Sequence, residues 1–177
     1  TLRTSSAASD VYKRQMSARV MNMLEGFVPR VEVYSIDEAF LDFDTLKQNY
    51  NLYDFSCHIR TLVRQWTGIP VRIGIAPNKT LTKIAINEIK RRNIPTSVLH
   101  LSNKKEIRNA LAHTSVSKVW GVGRRLTEHL NKAGINTALD LAEINPQGIR
   151  RKFSVVLERT VRDCLLYTSP SPRDYPG

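Results

Sequence analysis

The sequence predicts an α+β fold followed by a small all-helical region, and three observations predict it. In the first part, short β-like runs alternate with helical runs, which is typical of an antiparallel sheet packed against helices. After that, only short helical patterns remain. Charge is also unevenly distributed along the chain. Residues 16–77 carry 6 basic and 7 acidic side chains, whereas residues 78–163 carry 17 basic and 7 acidic ones. We therefore expect two domains, residues 16–102 and residues 103–163.

Hydrophobic spacing places the individual elements in order. A helix ends at Gly26, where Pro29 follows as a breaker. Alternating residues then predict a strand over Val31–Ile36, and a second β-like run covers Ala39–Phe43. The later elements are a helix over Leu52–Trp66, a strand over Val71–Ala76, a helix over Lys79–Arg92 capped by Asn78, a strand over Val98–Leu101 and a helix capped by Thr137.

Both ends of the chain lack the apolar periodicity of core elements. Residues 5–15 are similar to the translation of a common transposon sequencing adapter, and residues 164–174 are similar to the translation of its partner. We therefore expect residues 1–15 and 164–177 to be adapter-derived and disordered, and we exclude them from the fold. The alternative is a natural serine-rich arm and a Ser/Pro-rich tail.

Composition narrows the class of protein. The net charge of +11 favours a polyanionic partner such as nucleic acid, although solvated Lys and Arg faces give the same number. No apolar run approaches the ~18 residues of a membrane span. The two cysteines form no CxxC pair, which favours a reducing cytoplasm over a disulfide framework. The four histidines lack zinc-ligand spacing.

The sharpest local feature is the pair Asp37 and Glu38, placed between two β-like runs in an otherwise apolar stretch. A hairpin turn holds carboxylates rigidly, and carboxylate oxygens are ligands for hard divalent cations. In two-metal phosphoryl transfer such ions activate the attacking hydroxyl and neutralise the leaving group. The alternative is that the two acids only decorate a turn. Asp42 and Asp44 are interpreted as solvent-facing residues at the strand end.

Two further segments suit anionic ligands. Lys79 begins a helix directly after a strand, and a helix N-terminus with a nearby lysine favours a phosphate, although the P-loop pattern is absent. The second segment has two glycines two apart and a basic helix, which predicts a helix-hairpin-helix whose amides meet DNA phosphates. Its DNA-binding candidates are Gly121, Val122, Gly123, Arg124, Arg125 and Lys132, with Arg150, Arg151 and Lys152 extending the basic surface. The alternatives are an ordinary capped connection and a Gly-terminated helix in a small bundle.

Together these segments resemble the Y-family DNA polymerases, and among them the UmuC type. The strings that carry the resemblance are ARVMNMLEGFVPRVEVYSIDEAFLDF, VRIGIAPNKTLTKIA, VWGVGRRLTEHLNKAGINTALDLAEI and IRRKFSVVLERTVRD. Their order and spacing match the family over nearly all of residues 16–163. The resemblance implies a partial polymerase palm over residues 16–102 and a thumb with the helix-hairpin-helix over residues 103–163.

The resemblance also implies roles for individual residues. Asp37 corresponds to a metal-binding palm carboxylate, Glu38 to the carboxylate beside the primer terminus, and Lys79 to the lysine that contacts the incoming dNTP. The glycine hairpin corresponds to the thumb element that holds primer-template DNA. Mg²⁺ is the implied cofactor, UmuD-derived subunits and a RecA filament are the implied partners, and the SOS response in the bacterial cytoplasm is the implied setting.

The sequence also departs from the family. The first palm strand, with its metal-binding Asp and sugar-sensing aromatic residue, is absent, as are the fingers and the little finger. We therefore expect a fragment of a translesion polymerase that is inactive by itself and has an incomplete two-metal site. Two alternatives stay open: a non-enzymatic helix-hairpin-helix DNA-binding module, and another palm-type enzyme such as a nucleotide cyclase.

Overall fold

The computed structural model describes residues 2–144 and 155–168 and divides the chain into two compact units, Thr1–Ile73 and Gly74–Gly177. The first unit contains α1 (Leu2–Glu25), β1 (Val31–Val33), β2 (Ala39–Leu41) and α2 (Leu52–Thr67). The boundary lies within β3 (Ile73–Ile75). The second unit continues with α3 (Lys79–Arg92), β4 (Val98–His100), α4 (Lys104–His113), a 3-10 turn (Val116–Lys118), α5 (Arg124–Lys132), α6 (Ala138–Ala142) and α7 (Val155–Thr168).

In the first unit, α1 and α2 pack together beside an antiparallel hairpin. The hairpin pairs Val31 with Leu41 and Val33 with Ala39. Its core is small, and the fully buried side chains at its centre are Ile59 and Val63 of α2. The α2 helix begins at Asn51, whose side chain accepts hydrogen bonds from two first-turn amides, and ends at Gly68 in the left-handed conformation.

The second unit has the larger core. The apolar face of α3 contributes Leu81, Ile84 and Ala85, spaced to lie on one side of the helix. The amide of Leu101 donates to the carbonyl of Ile75 at 2.8 Å and extends the pairing of β3 with β4. The other buried members of this cluster are Ile107, Ala110, Leu111, Val116, Val119, Val122, Leu130, Ile135, Ala138, Leu141, Ala142, Leu157, Val161 and Cys164.

The predicted α+β class is confirmed, but the strands are shorter and grouped differently than expected. Among the described residues the strands form two two-stranded sheets, β1 with β2 and β3 with β4, where the sequence suggested one antiparallel sheet. Each strand has three residues. Alternation of side chains predicts that a segment is extended, but it does not say which extended segments pair.

The division into units differs from the sequence-based boundary near residue 102. Contacts divide the chain at residues 73 and 74, because α3 packs against α4 and α7 and shares their core. The amino-acid composition changes after β4, but the residues before and after this point share one hydrophobic core. Palm and thumb are names from the family resemblance, and their assignment to residues 16–102 and 103–163 stays a prediction.

The structure has helix over part of each end that was expected to be disordered. Helix α1 starts at Leu2 and contains no glycine or proline, and because residues 10–15 are all exposed, burial does not explain the helix at these six residues. At the other end α7 continues to Thr168, because Leu157, Val161 and Cys164 form an i, i+4, i+7 stripe that is buried. Residues 169–177 lie outside the described residues, and the adapter origin of both ends stays a prediction.

The longest described helix is α1, with 24 residues and several charged side chains. Within the part of the chain that the structure describes, no helix combines the length and apolar character needed to cross a membrane.

Candidate functional site

Asp37 and Glu38 lie together in the turn that joins β1 to β2. The amides of Tyr34 and Ser35 both donate to the Glu38 carbonyl, at 3.0 and 3.1 Å, and close the turn. The Ser35 hydroxyl donates to Asp37 Oδ1 at 2.6 Å. Both carboxylates are exposed to solvent. The backbone therefore presents two adjacent acids outward at the end of a hairpin, and Ser35 restrains the Asp37 side chain.

Apolar side chains surround these carboxylates on the surface. Val33 is 54% exposed, Tyr34 47% and Ile36 50%, which is high for large hydrophobic residues. Tyr34 packs edge-on against Phe40 across the hairpin, with ring centroids 5.8 Å apart. The acids thus project from a turn whose neighbouring exposed side chains are largely apolar.

The oxygen ligands at this turn are of the type that Mg²⁺ binds, but there are too few of them to form a complete metal site. Asp37 and Glu38 supply the oxygen ligands that hard cations prefer. In the described ranges, no three His, Cys, Asp or Glu side chains are grouped so that they could hold a metal ion. The two acids are therefore part of a ligand set at most, and no metal-dependent step can be derived for this chain.

Asp42 and Asp44 behave as predicted, as surface residues after β2. Asp42 lies 3.9 Å from Arg30 and accepts a hydrogen bond from the Asp44 amide at 2.9 Å. Asp44 pairs with Lys47 at 3.1 Å. Both carboxylates therefore make local contacts after β2, and neither is assigned to the site formed by Asp37 and Glu38.

Lys79 is the exposed first residue of α3. Asn78 caps this helix, and its side chain accepts from the Leu81 amide at 2.9 Å. The first turn of α3 contains no acidic residue, so the partial positive charge of the helix N-terminus and the lysine charge coincide. Lys83 follows one turn later on the same face, which places like charges at i and i+4. This end of α3 is therefore electrostatically suited to an anion.

The two-glycine segment forms a tight turn between a 3-10 turn and α5. The Val122 amide donates to the Val119 carbonyl at 3.0 Å, and Gly121 has φ of 85°. A positive φ at the third position of such a turn is the requirement of a type II turn, and it favours glycine. Gly123 is the N-cap of α5 and offers no side-chain cap to the first amides of the helix.

The basic residues of this segment do not all lie together. Arg124 and Arg125 are exposed in the first turn of α5, where Arg124 lies 3.5 Å from Glu128. Lys132 ends the same helix. It shares a helix face with Arg125 but lies about 10 Å further along the axis. The predicted extension over residues 150–152 lies outside the described residues.

The structure therefore groups the predicted site residues into two sets. Asp37 and Glu38 belong to the first unit, whereas Lys79 and the segment from Gly121 to Arg125 belong to the second. Sequence reasoning missed three residues that connect the second set, which are Lys83, Asn87 and Trp120. In the sequence, the only signal for Lys83 and Asn87 is their i+4 and i+8 spacing from Lys79, and Trp120 has no such signal.

Comparisons with known proteins identify relatives in sequence. A sequence model of the family described as "IMS: impB/mucB/samB family" matches residues 7–87, beginning inside the segment predicted to be adapter-derived. The protein UmuC of Salmonella typhimurium is 50% identical over 149 residues. That alignment covers 84% of this chain and 35% of UmuC. A DNA polymerase IV of Saccharolobus solfataricus is 31% identical over 136 residues, or 76% of this chain and 37% of that protein.

Solved structures give the same result for the fold. An insertion ternary complex of Dbh DNA polymerase has a TM-score of 0.72 and 25% identity, covering 92% of this chain and 46% of that one. A DinB structure from Sulfolobus solfataricus has a TM-score of 0.68 and 26% identity, covering 91% and 47%. The chain thus spans about a third of the length of the curated relatives that it matches. We conclude that residues 7–87 match the impB/mucB/samB family model, that the chain is similar in sequence to UmuC, and that it has the fold of Y-family DNA polymerases.

Proposed function

We propose that this chain is part of a translesion DNA polymerase, an enzyme that joins nucleotides on a DNA template past damaged bases. The observation that carries the proposal is the pair Asp37 and Glu38, fixed on a hairpin turn in a fold shared with solved DNA polymerases. Adjacent carboxylates on a rigid turn are what metal-assisted phosphoryl transfer needs. The similarity to proteins named UmuC and DNA polymerase IV supports the same activity over a nucleotide cyclase.

In the complete polymerase, Asp37 would bind Mg²⁺ and Glu38 would lie beside the primer terminus. When bound, the ions supply activation of the 3′-hydroxyl and neutralisation of the triphosphate. Lys79, at the positive end of α3, would contact the phosphates of the incoming dNTP. The bacterial cytoplasm, the SOS response, UmuD-derived subunits and a RecA filament are part of this proposal through the family resemblance.

The hairpin from Gly121 to Arg125 would hold the DNA backbone. The Gly121 turn directs the chain into α5, and Gly123 leaves its N-terminus without a side chain, so a phosphate can approach the first amides closely. Arg124 and Arg125 add Coulomb attraction that does not depend on base sequence. Such contacts suit a helix-hairpin-helix, in which the 3-10 turn Val116–Lys118 would take the place of the first helix.

Because two carboxylates alone do not complete a metal site, the 177-residue chain should not extend a primer. The assay supplies a primed template, four dNTPs and Mg²⁺ to the purified chain and to the Asp37→Ala variant. We expect no extension from either. Extension by the original chain that is lost in Asp37→Ala would show that the chain is active by itself.

A second candidate is a DNA-binding module without catalysis. One observation favours it: the segment proposed to hold DNA is ordered in the second unit, whereas the described residues include no complete set of metal ligands. A pure binding module should hold primer-template DNA equally well in Mg²⁺ and in EDTA. The polymerase assignment would be favoured if Mg²⁺ raised the affinity for primer-template DNA and if Asp37→Ala abolished this increase.

The DNA contact can be tested by Gly123→Asp. An added Cβ at Gly123 meets no atom within 4 Å, and aspartate is a good N-cap, so folding stability should be unchanged or slightly higher. DNA binding should nevertheless weaken, because a carboxylate would occupy the position proposed for the phosphate. Loss of charge-assisted hydrogen bonds, each worth ~1.5–3 kcal/mol, raises the Kd about tenfold or more.

The matched control is Asn103→Asp, which makes the same charge change at the N-cap of α4 in the same unit. It should alter the DNA Kd, measured by fluorescence anisotropy, much less than Gly123→Asp does. Equal effects of the two variants would mean that only net charge matters and that the hairpin is not the phosphate site.

A further inference from the structure

One face of α3 connects the two anion-binding elements of the second unit. Lys79, Lys83 and Asn87 are spaced i, i+4 and i+8 and therefore lie in a row along the helix. We call this row the α3 stripe. It is about 12 Å long, at 1.5 Å per residue. Its first member is the lysine proposed to contact the triphosphate.

The other two members reach the segment that leads into the hairpin. The Lys83 ammonium lies over the Trp120 ring, 5.8 Å from its centroid. Asn87 Nδ2 donates to the Lys118 carbonyl at 3.4 Å. Trp120 directly precedes Gly121, and its carbonyl accepts from the Thr160 hydroxyl of α7 at 3.3 Å. The segment that leads into the hairpin therefore contacts both α3 and α7.

These contacts matter because the two glycines of the hairpin contribute no side-chain contacts of their own. Gly121 and Gly123 have no side chains, and glycine gives the backbone more freedom than any other residue. A turn that must present amides to a phosphate in a fixed direction needs its flanking residues restrained. Trp120 is the flanking residue, and its cation–π contact with the half-buried Lys83 restrains the plane of its ring.

We propose that Lys83 and Asn87 are positioning residues, which hold the residue 118–120 segment so that the hairpin presents its amides in fixed relation to Lys79. This inference rests on the proposed function of the hairpin. Its consequence is that DNA held at the hairpin and a triphosphate held at Lys79 are kept in register by one helix. Neither Lys83 nor Asn87 needs to touch either ligand.

The test uses the full chain in a Trp66→Phe background, because Trp66 is 64% exposed and its removal leaves Trp120 as the only tryptophan. Lys83→Met removes the ammonium and keeps most of the side-chain stem. We expect a change in Trp120 emission and amide exchange at Val122 that is about two- to fivefold faster, as for loss of a cation–π contact. Lys83→Arg should retain both signals, since arginine also binds aromatic faces.

Asn87→Ala removes the second attachment and should speed exchange at the same amide. The matched control is Lys90→Met, the same chemical change on an exposed lysine of the same helix, and it should leave Trp120 emission and Val122 exchange unchanged. Unchanged emission and exchange in Lys83→Met would overturn the inference, whatever the DNA result.

DNA binding separates positioning from direct contact. Lys83→Met should raise the Kd about two- to fivefold and leave the salt dependence unchanged. A lost phosphate contact would lower the slope of log K against log salt by about 0.9 and would show that Lys83 touches the DNA, which contradicts a positioning role. If the original chain bound no DNA, the proposed function would fail, while emission and exchange would still decide whether α3 restrains the hairpin.

Discussion

At the scale of single residues, Asp140 organises the start of α6. Its Oδ2 accepts from the amides of Thr137 and Asn136, at 2.9 and 3.0 Å. Its own amide donates to Thr137 Oγ1 at 3.0 Å, which completes a capping box. These bonds, first that from the Thr137 amide and then that from the Asn136 amide, lower the pKa of the Asp140 carboxyl from its ordinary value.

This pKa predicts the sign of a pH effect on stability. Because the folded-state pKa of Asp140 is lowered, its stabilisation is fully present above the ordinary value near 3.9 and is lost as pH falls through the folded value. In Asp140→Asn, which cannot ionise, the urea midpoint should be lower at pH 6 and should fall less between pH 5 and pH 2. A parallel decline in both proteins would show that other carboxylates account for the acid sensitivity.

At the scale of secondary-structure elements, the approach of β3 to α3 depends on Gly74. A Cβ built at this residue would lie 2.7 Å from the Thr82 carbonyl oxygen and 3.0 Å from the Ala85 Cβ. The nearest atom belongs to backbone, so it cannot move aside like the end of a flexible side chain. The glycine therefore sets how closely the strand packs on the helix that carries Lys79.

Gly74→Ala should accordingly destabilise the protein by about 1–3 kcal/mol through overpacking. The free energy of unfolding in urea measures this loss. Gly123→Ala is the control, since its added methyl group meets no atom within 4 Å, and it should cost only the difference between glycine and alanine at an N-cap, roughly 0.5 kcal/mol. An equal loss in both variants would mean that helix packing on β3 tolerates the methyl group.

Elements with a complete local pattern could be predicted from the sequence. Lys79–Arg92 has the same bounds in the prediction and in the structure, because Asn78 caps it and its buried residues follow the helical period. Leu52–Thr67 differs by one residue, with Gly68 as its stop. The structure departs from the expectation at Leu2–Gln15 and in α7 beyond Asp163. In α7 the buried stripe of Leu157, Val161 and Cys164 continues past residue 163, whereas no pattern of buried residues accounts for the helix at residues 10–15.

The candidate site could be predicted only in part. A hairpin turn at Asp37 and a glycine turn at Gly121 are local features, and both were recognised from their residues. The contact between Lys83 and Trp120 joins residues 37 positions apart, and no local pattern encodes such a pair. Helix propensity and the spacing of apolar residues show which side of a helix or strand is buried. Which other element packs against that side depends on tertiary structure.

At the scale of the whole molecule, the two units should differ in local stability. The β1–β2 hairpin has three pairs of residues in register, with Val33 half exposed, and a two-stranded hairpin is marginal in water. By contrast, α3 buries Leu81 and Ala85 completely within the larger core. Native-state hydrogen exchange measures the free energy of local opening. This free energy should be at least about 1 kcal/mol lower for the amides of the β1–β2 hairpin than for those of α3. Equal values would indicate a single cooperative molecule.

The burial of Cys164 in α7 gives the protein an intrinsic chemical reporter. Cys164 is 3% exposed, whereas Cys57, the other thiol of the chain, is half-buried. An alkylating reagent should therefore modify Cys57 in the native molecule and reach Cys164 when the C-terminal helix separates from its core. Because the reactive species is the thiolate at an accessible sulfur, the second modification would time that opening event directly.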